Sequence, residues 1–187
     1  MNKNSLKNIA IEVINLEIEA LKILKKSVNK NFDKAVNAIV NCKSKIILCG
    51  VGKSGLIAAK IASTLSSVGS PAFSLSANDC LHGDLGSITK KDVLILISNS
   101  GRSEEIIPII KFANRNKIKL IGIVSKKNSI LYKGSDIKIL LPDVKESGLG
   151  VVPTSSTSIQ LAIGDALAVA ALKKKQFSRY DFSRLHP

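Results

Sequence analysis

A chain of 187 residues, 45% hydrophobic, is long enough for one well-buried core and hardly for two; its apolar runs are short, and none reaches the ~18–20 residues of a membrane span. The net charge of +14 is almost all lysine spread along the chain, and aromatic residues are only 4%, so base-stacking platforms for a nucleic acid are not evident while anionic small molecules suit the field. Three cysteines (Cys42, Cys49, Cys80) without a C-x-x-C pair give neither a disulfide framework nor a zinc site, and Glu12, Glu17 and Glu19 interrupt the segment where a secretory leader would need an apolar run, so a cytoplasmic protein is expected.

In chain order, residues 5–28 predict an amphipathic helix, with Leu6, Ile9, Val13, Leu16, Ala20 and Leu24 at helical spacing. A second helix, about 31–42, follows the polar break at Asn29–Asn31. KIILCG (45–50) reads as a short apolar strand, 54–67 as a helix rich in small residues, and PAFSLS (71–76) as a second strand. A polar stretch, ANDCLHGDLGSI (77–88), reads as loop. DVLILISNS (92–100) is so apolar that both faces of this third strand must be covered. A helix over 103–116 follows despite Pro108, then a strand at 119–125, a short helix near 128–134 and a fifth strand at 136–143. The loop carrying Glu146 leads into a long helix, about 155–174, in which Gly164 and Asp165 read as packing or interface features, and the last dozen residues read as an irregular tail. Strands alternating with helices predict one α/β domain, a three-layer sandwich with a five-stranded parallel sheet flanked by helices. Ligands of such sheets bind beyond the carboxyl ends of the strands.

Three loops there carry candidate chemistry. Gly50-Val51-Gly52-Lys53-Ser54-Gly55 fits G-x-G-x-x-G, but strand two ends in Ser76-Ala77 without the acidic residue that a dinucleotide ribose requires. What remains is a glycine turn offering backbone N–H groups, Ser54 and the charge of Lys53 to an anion, or a tight turn with no ligand. Ser98-Asn99-Ser100-Gly101-Arg102-Ser103 sets three hydroxyls and an amide before a helix, more than N-capping by Ser103 requires and well suited to a phosphate. Thr154-Ser155-Ser156-Thr157 repeats the theme. Acid–base candidates are few: His82, flanked by glycine in Leu81-His82-Gly83-Asp84, with Glu105, Glu146 and His186. Aldose–ketose isomerisation needs such a base and polarising groups, with no metal and no cofactor.

Together these pieces resemble the sugar isomerase (SIS) family, and within it the arabinose-5-phosphate isomerases. The matches are GVGKSG (50–55), HGDLG (82–86), ISNSGRSEEI (97–106), the Glu146 loop, PTSSTSIQLAIGDALAVAAL (153–172) and LHP (185–187). The resemblance implies a flavodoxin-like SIS fold over 1–187 and interconversion of D-ribulose 5-phosphate and D-arabinose 5-phosphate through an enediol, serving Kdo and lipopolysaccharide synthesis. It implies catalytic roles for Lys53, His82, Glu105, Glu146 and His186. Ser98, Ser100 and Ser103 would contact phosphate, with Gly52, Ser54, Asn99, Thr154, Ser155 and Ser156 nearby. Glu146 would move the C1/C2 proton and Lys53 would stabilise the enediolate. It further implies a homotetramer with active sites at subunit contacts and no membrane or nucleic-acid partner. Family members commonly continue into CBS modules after the HP dipeptide; a form without them is expected here, and Arg102 stands where Glu is common. The rival readings are another sugar-phosphate isomerase of this fold and a sugar-phosphate-binding module without turnover.

Overall fold

In the computed structural model, residues 5–186 are described; Pro187, the end of the LHP stretch, lies outside them. In chain order, α1 (Leu6–Ser27) and α2 (Lys30–Val40) precede β1 (Ile46–Gly50), and α3 (Lys53–Ser67) leads to β2 (Ala72–Ser76). A short α4 (Ala77–Cys80) and a 3-10 turn (Asp84–Ser87) lead to β3 (Val93–Ser98). Next come α5 (Ile106–Arg115), β4 (Lys119–Val124), α6 (Ile130–Gly134) and β5 (Ile137–Leu140). A single irregular turn, α7 (Gly148–Val151), then α8 (Ser155–Lys174) and α9 (Arg179–Leu185) follow.

The five strands pair in parallel in the order β2-β1-β3-β4-β5. Every residue of β1 and β3 is buried, as the unbroken apolar runs predict. Alternate side chains feed opposite layers. Ile46, Leu48, Val93, Ile95 and Ile97 join the core shared with α2, α3 and α8, whereas Ile47, Cys49, Leu94 and Leu96 join that shared with α5 and α6. By length and composition α8 could cross a membrane, yet half of it is buried, with Ile159, Ile163, Leu167 and Ala171 in the first core. Gly164 lets α3 approach: a Cβ there would overlap the Ile61 side chain. Asp165 forms an ion pair with Lys60 across the same two helices.

At the amino end of the sheet, Asp92 is buried and fully partnered. Its carboxylate accepts from Thr89 N (2.6 Å), Thr89 Oγ1 (3.0 Å) and Lys45 N (3.2 Å), and both of its oxygens accept from Lys45 Nζ (3.1 and 3.0 Å). Burial pushes its pKa up, but these bonds outweigh burial and hold it at about 2. The cluster ties the start of β1 to the start of β3.

Three departures from the sequence expectations have local causes. The stretch 77–88 is not all loop: the Ser76 hydroxyl accepts from Asp79 N (3.3 Å) and so caps α4, and a 3-10 turn follows the left-handed Gly83. Helix α5 starts at Ile106 rather than 103, which puts Pro108 in its first turn, where no backbone N–H is required for the ladder. The tail is not irregular, because Ser178 and Asp181 form a capping box that starts α9.

Candidate active site

In the strand order β2-β1-β3-β4-β5, the chain winds in opposite directions from β1 and β3, leaving a crevice at their carboxyl ends. A cleft of about 350 Å³ lies there, and its wall includes Val51, Lys53, Ser54, Asn99, Glu146, Ser156, Thr157 and Gln160. The loop after β1 reaches it through Gly52, whose φ of 57° with ψ −125° is a conformation that glycine alone adopts readily. Gly50 is equally constrained: a Cβ would meet backbone atoms of Ser54 at 2.8 Å and Ile97 O at 2.9 Å. The turn thus presses against β3 and presents Lys53 at the first position of α3. Lys53 is exposed, and no carboxylate pairs with it among the described residues.

Glu146 reaches the cleft from the loop after β5. Its Oε2 accepts from Thr154 N (2.9 Å), Thr154 Oγ1 (3.2 Å) and Ser156 N (3.3 Å), so it sits on the amino end of α8. Burial pushes its pKa up, but hydrogen bonds from the Ser156 hydroxyl, both backbone N–H groups and Thr154 outweigh burial and hold it below the usual glutamate value. It is a carboxylate at neutral pH, facing a cleft that also holds an unpaired ammonium. That pair of charges can take a proton from carbon and stabilise the oxyanion left behind.

The other sequence candidates are placed as follows. Ser98 is buried and accepts from Gly101 N (3.0 Å), while Ser100 accepts from Arg102 N (3.3 Å), so both hydroxyls also shape the turn after β3. Asn99 accepts from Ser125 Oγ through Oδ1 (2.6 Å), leaving its amide N–H groups for the cleft. Ser103 and Glu105 lie half-buried before α5, off the cleft wall. Ser155 is buried with its hydroxyl unpartnered. His82 is exposed on the loop after α4. His186 ends α9, with Nδ1 2.9 Å from Phe182 O and its ring stacked on Phe182 at 3.8 Å. Neither histidine lines the cleft of this single chain.

One polar wall residue escaped the sequence reading. Gln160 is 1% exposed, and its Oε1 accepts from Ser54 Oγ (3.1 Å). It sits four residues after Ser156, one helical turn on, so the two share a face. That spacing was the available signal, submerged in an apolar helix.

Comparison with known proteins agrees with this fold. The SIS domain family model matches residues 39–170. The chain is 46% identical to arabinose 5-phosphate isomerase KdsD of Francisella tularensis over 184 residues, 96% of this chain and 56% of that protein. It is 43% identical to KdsD of Yersinia pestis over 94% of this chain and 54% of that protein, and so spans about half the length of these curated relatives. A solved structure from Escherichia coli CFT073, c3406 in complex with arabinose 5-phosphate, superposes with a TM-score of 0.94 at 34% identity, covering all of both chains. With its parallel sheet, its cleft at the switch of strand order and these matches, the chain belongs to the SIS domain family.

Proposed function

We propose that this chain, taken as one SIS domain, is an aldose–ketose isomerase that interconverts D-ribulose 5-phosphate and D-arabinose 5-phosphate, a step toward Kdo and lipopolysaccharide. The observation that carries this reading is the pairing, in one cleft, of an ionised Glu146 with an unpaired Lys53, ringed by hydroxyl and amide donors. Relatives named arabinose 5-phosphate isomerase and the neighbour solved with arabinose 5-phosphate support the choice of substrate.

In the proposed mechanism Glu146 takes the C1 proton of the ketose. Lys53 stabilises the charge that develops on the oxygen as the enediolate forms. Glu146, after its proton exchanges with solvent, protonates C2, while the O1 hydroxyl proton passes to O2 through the remaining acid–base groups, and this gives the aldose. No electrons leave the substrate, so the isomerisation balances without a redox partner. The phosphate is held by Ser100 and Ser103 with the backbone N–H groups around Gly52, near Asn99, Ser54 and the 154–156 hydroxyls. Glu105, His82 and His186 complete the acid–base set.

The last two come to the cleft through assembly in this reading. Helix α1 buries only Ala20 and Leu24 within the chain, while Ile11, Ile14, Ile18 and Leu21 are exposed. Leu149, in the turn whose Gly150 and Val151 line the cleft, is fully exposed with a left-handed φ of 61°. These surfaces support a homotetramer in which neighbours supply the missing wall. Three free thiols support a reducing, cytoplasmic setting.

The test is to incubate the purified chain separately with D-ribulose 5-phosphate, D-fructose 6-phosphate and sedoheptulose 7-phosphate and to follow the products by NMR. Arabinose 5-phosphate from the first alone is expected. Turnover of a longer ketose instead would reassign the substrate.

A further inference from the structure

Gln160 lines the cleft, and the proposed mechanism leaves it without a task. An amide is disfavoured in the interior unless its hydrogen-bonding groups are used, yet Gln160 sits in the second turn of α8 with Ile159 and Ile163 buried beside it. One arm is explained: Oε1 receives the Ser54 hydroxyl at 3.1 Å, which ties the first turn of α3 to α8. The other arm meets no protein acceptor among the described residues, and the side chain lines the cleft beside Lys53 and Glu146. An N–H₂ group fixed by its own carbonyl at the wall of an open cleft is a preorganised donor. It is neutral and shares the cleft with the groups assigned to proton transfer and to the enediolate oxygen, whereas the hydroxyl-rich turn assigned to phosphate enters this cleft only through Asn99.

Resting on the isomerase reading above, we infer that Gln160 binds substrate, its amide N–H₂ holding a hydroxyl or carbonyl oxygen of the sugar rather than the phosphate. Ser54 is then the positioning residue that orients Gln160, and the pair sets which sugar fits between Lys53 and Glu146.

The experiment compares wild type with Gln160→Leu and Gln160→Glu. For each, KM and kcat for D-ribulose 5-phosphate are measured together with competitive inhibition by inorganic phosphate. In Gln160→Leu, which keeps the volume and removes both arms, KM should rise about tenfold, the loss of one hydrogen bond, with phosphate inhibition unchanged. Gln160→Glu keeps an acceptor for Ser54 and loses the donor, so it should show the same rise; it also carries the test if Gln160→Leu fails to fold. An unchanged KM overturns the assignment. So does an equal weakening of sugar-phosphate and inorganic phosphate, which would make Gln160 a support of the turn. If wild type shows no turnover, the isomerase reading falls, and the same comparison is made by calorimetric binding of D-ribulose 5-phosphate and phosphate. Weakening confined to the sugar phosphate upholds Gln160, and equal weakening overturns it. A wild-type chain that binds phosphate but gains nothing from the sugar removes both readings.

Discussion

The two ends of the parallel sheet each hold a carboxylate kept ionised by hydrogen bonds, and they are finished in opposite ways. At the amino end, Asp92 is closed off: backbone, hydroxyl and the Lys45 ammonium occupy its oxygens, and its side chain is fully buried. At the carboxyl end, Glu146 takes its donors from the start of α8 alone, and the nearby cation of the cleft, Lys53, has no partner among the described residues. A carboxylate paired with its lysine contributes stability. One held beside an unpaired lysine, with amides of Asn99 and Gln160 also open to the cleft, is arranged for a ligand that is not part of the chain.

Breaking the closed end should have the larger effect on folding. Asp92→Ala leaves Lys45 facing a half-buried site without its partner and should cost about 3–5 kcal/mol of stability, read by denaturant unfolding, while the folded fraction keeps its turnover. Breaking the open end should do the reverse. Glu146→Gln, which can still accept from Thr154 N, should lower kcat by roughly 10²–10³-fold with a near-normal thermal midpoint; near-normal kcat would remove Glu146 from proton transfer.

The pH dependence sharpens the contrast. Asp92 has its folded pKa depressed to about 2, so its contribution is present above the ordinary aspartate value and is lost as pH falls through about 2. Linkage puts that loss at about 2 kcal/mol between roughly pH 4 and pH 2, and Asp92→Asn should flatten this part of the stability profile. Glu146 is depressed in the same direction, so the acid limb of kcat/KM that it governs should lie below the ordinary glutamate value of about 4.3. A limb above that value would contradict the hydrogen bonding described. The smallest expected effect is that of Thr89→Ala, which removes one hydroxyl from Asp92 and should cost about 1 kcal/mol with no change in kcat.

The closed end illustrates what could not be read from the chain alone. Asp92 stands just before an apolar strand, and nothing in that local pattern announces that Lys45, 47 residues earlier, will lie beside it; parallel pairing of β1 with β3 brings them together. Strands β1 and β3 were legible because they are covered on both faces and must be apolar throughout. Lys53, Ser54, Asn99, Glu146 and Ser156 were legible because loops at the carboxyl ends of strands carry their polar groups in short runs. Gln160 was hidden by the opposite circumstance, a single polar residue in a helix packed on several sides. The capping box at Ser178 and Asp181 was present in the sequence, in a segment too short and too polar for periodicity to mark it as a helix.

The most direct test of the open cleft as an isomerase site is solvent exchange. The purified chain and its Lys53→Met variant are incubated with D-ribulose 5-phosphate in deuterated buffer and followed by NMR. Arabinose 5-phosphate carrying deuterium at C2 from the wild type, with formation slowed at least a hundredfold in Lys53→Met, is the predicted result. Aldose formed at equal rates by both proteins, or a wild type that binds the ketose and exchanges no proton, would contradict it.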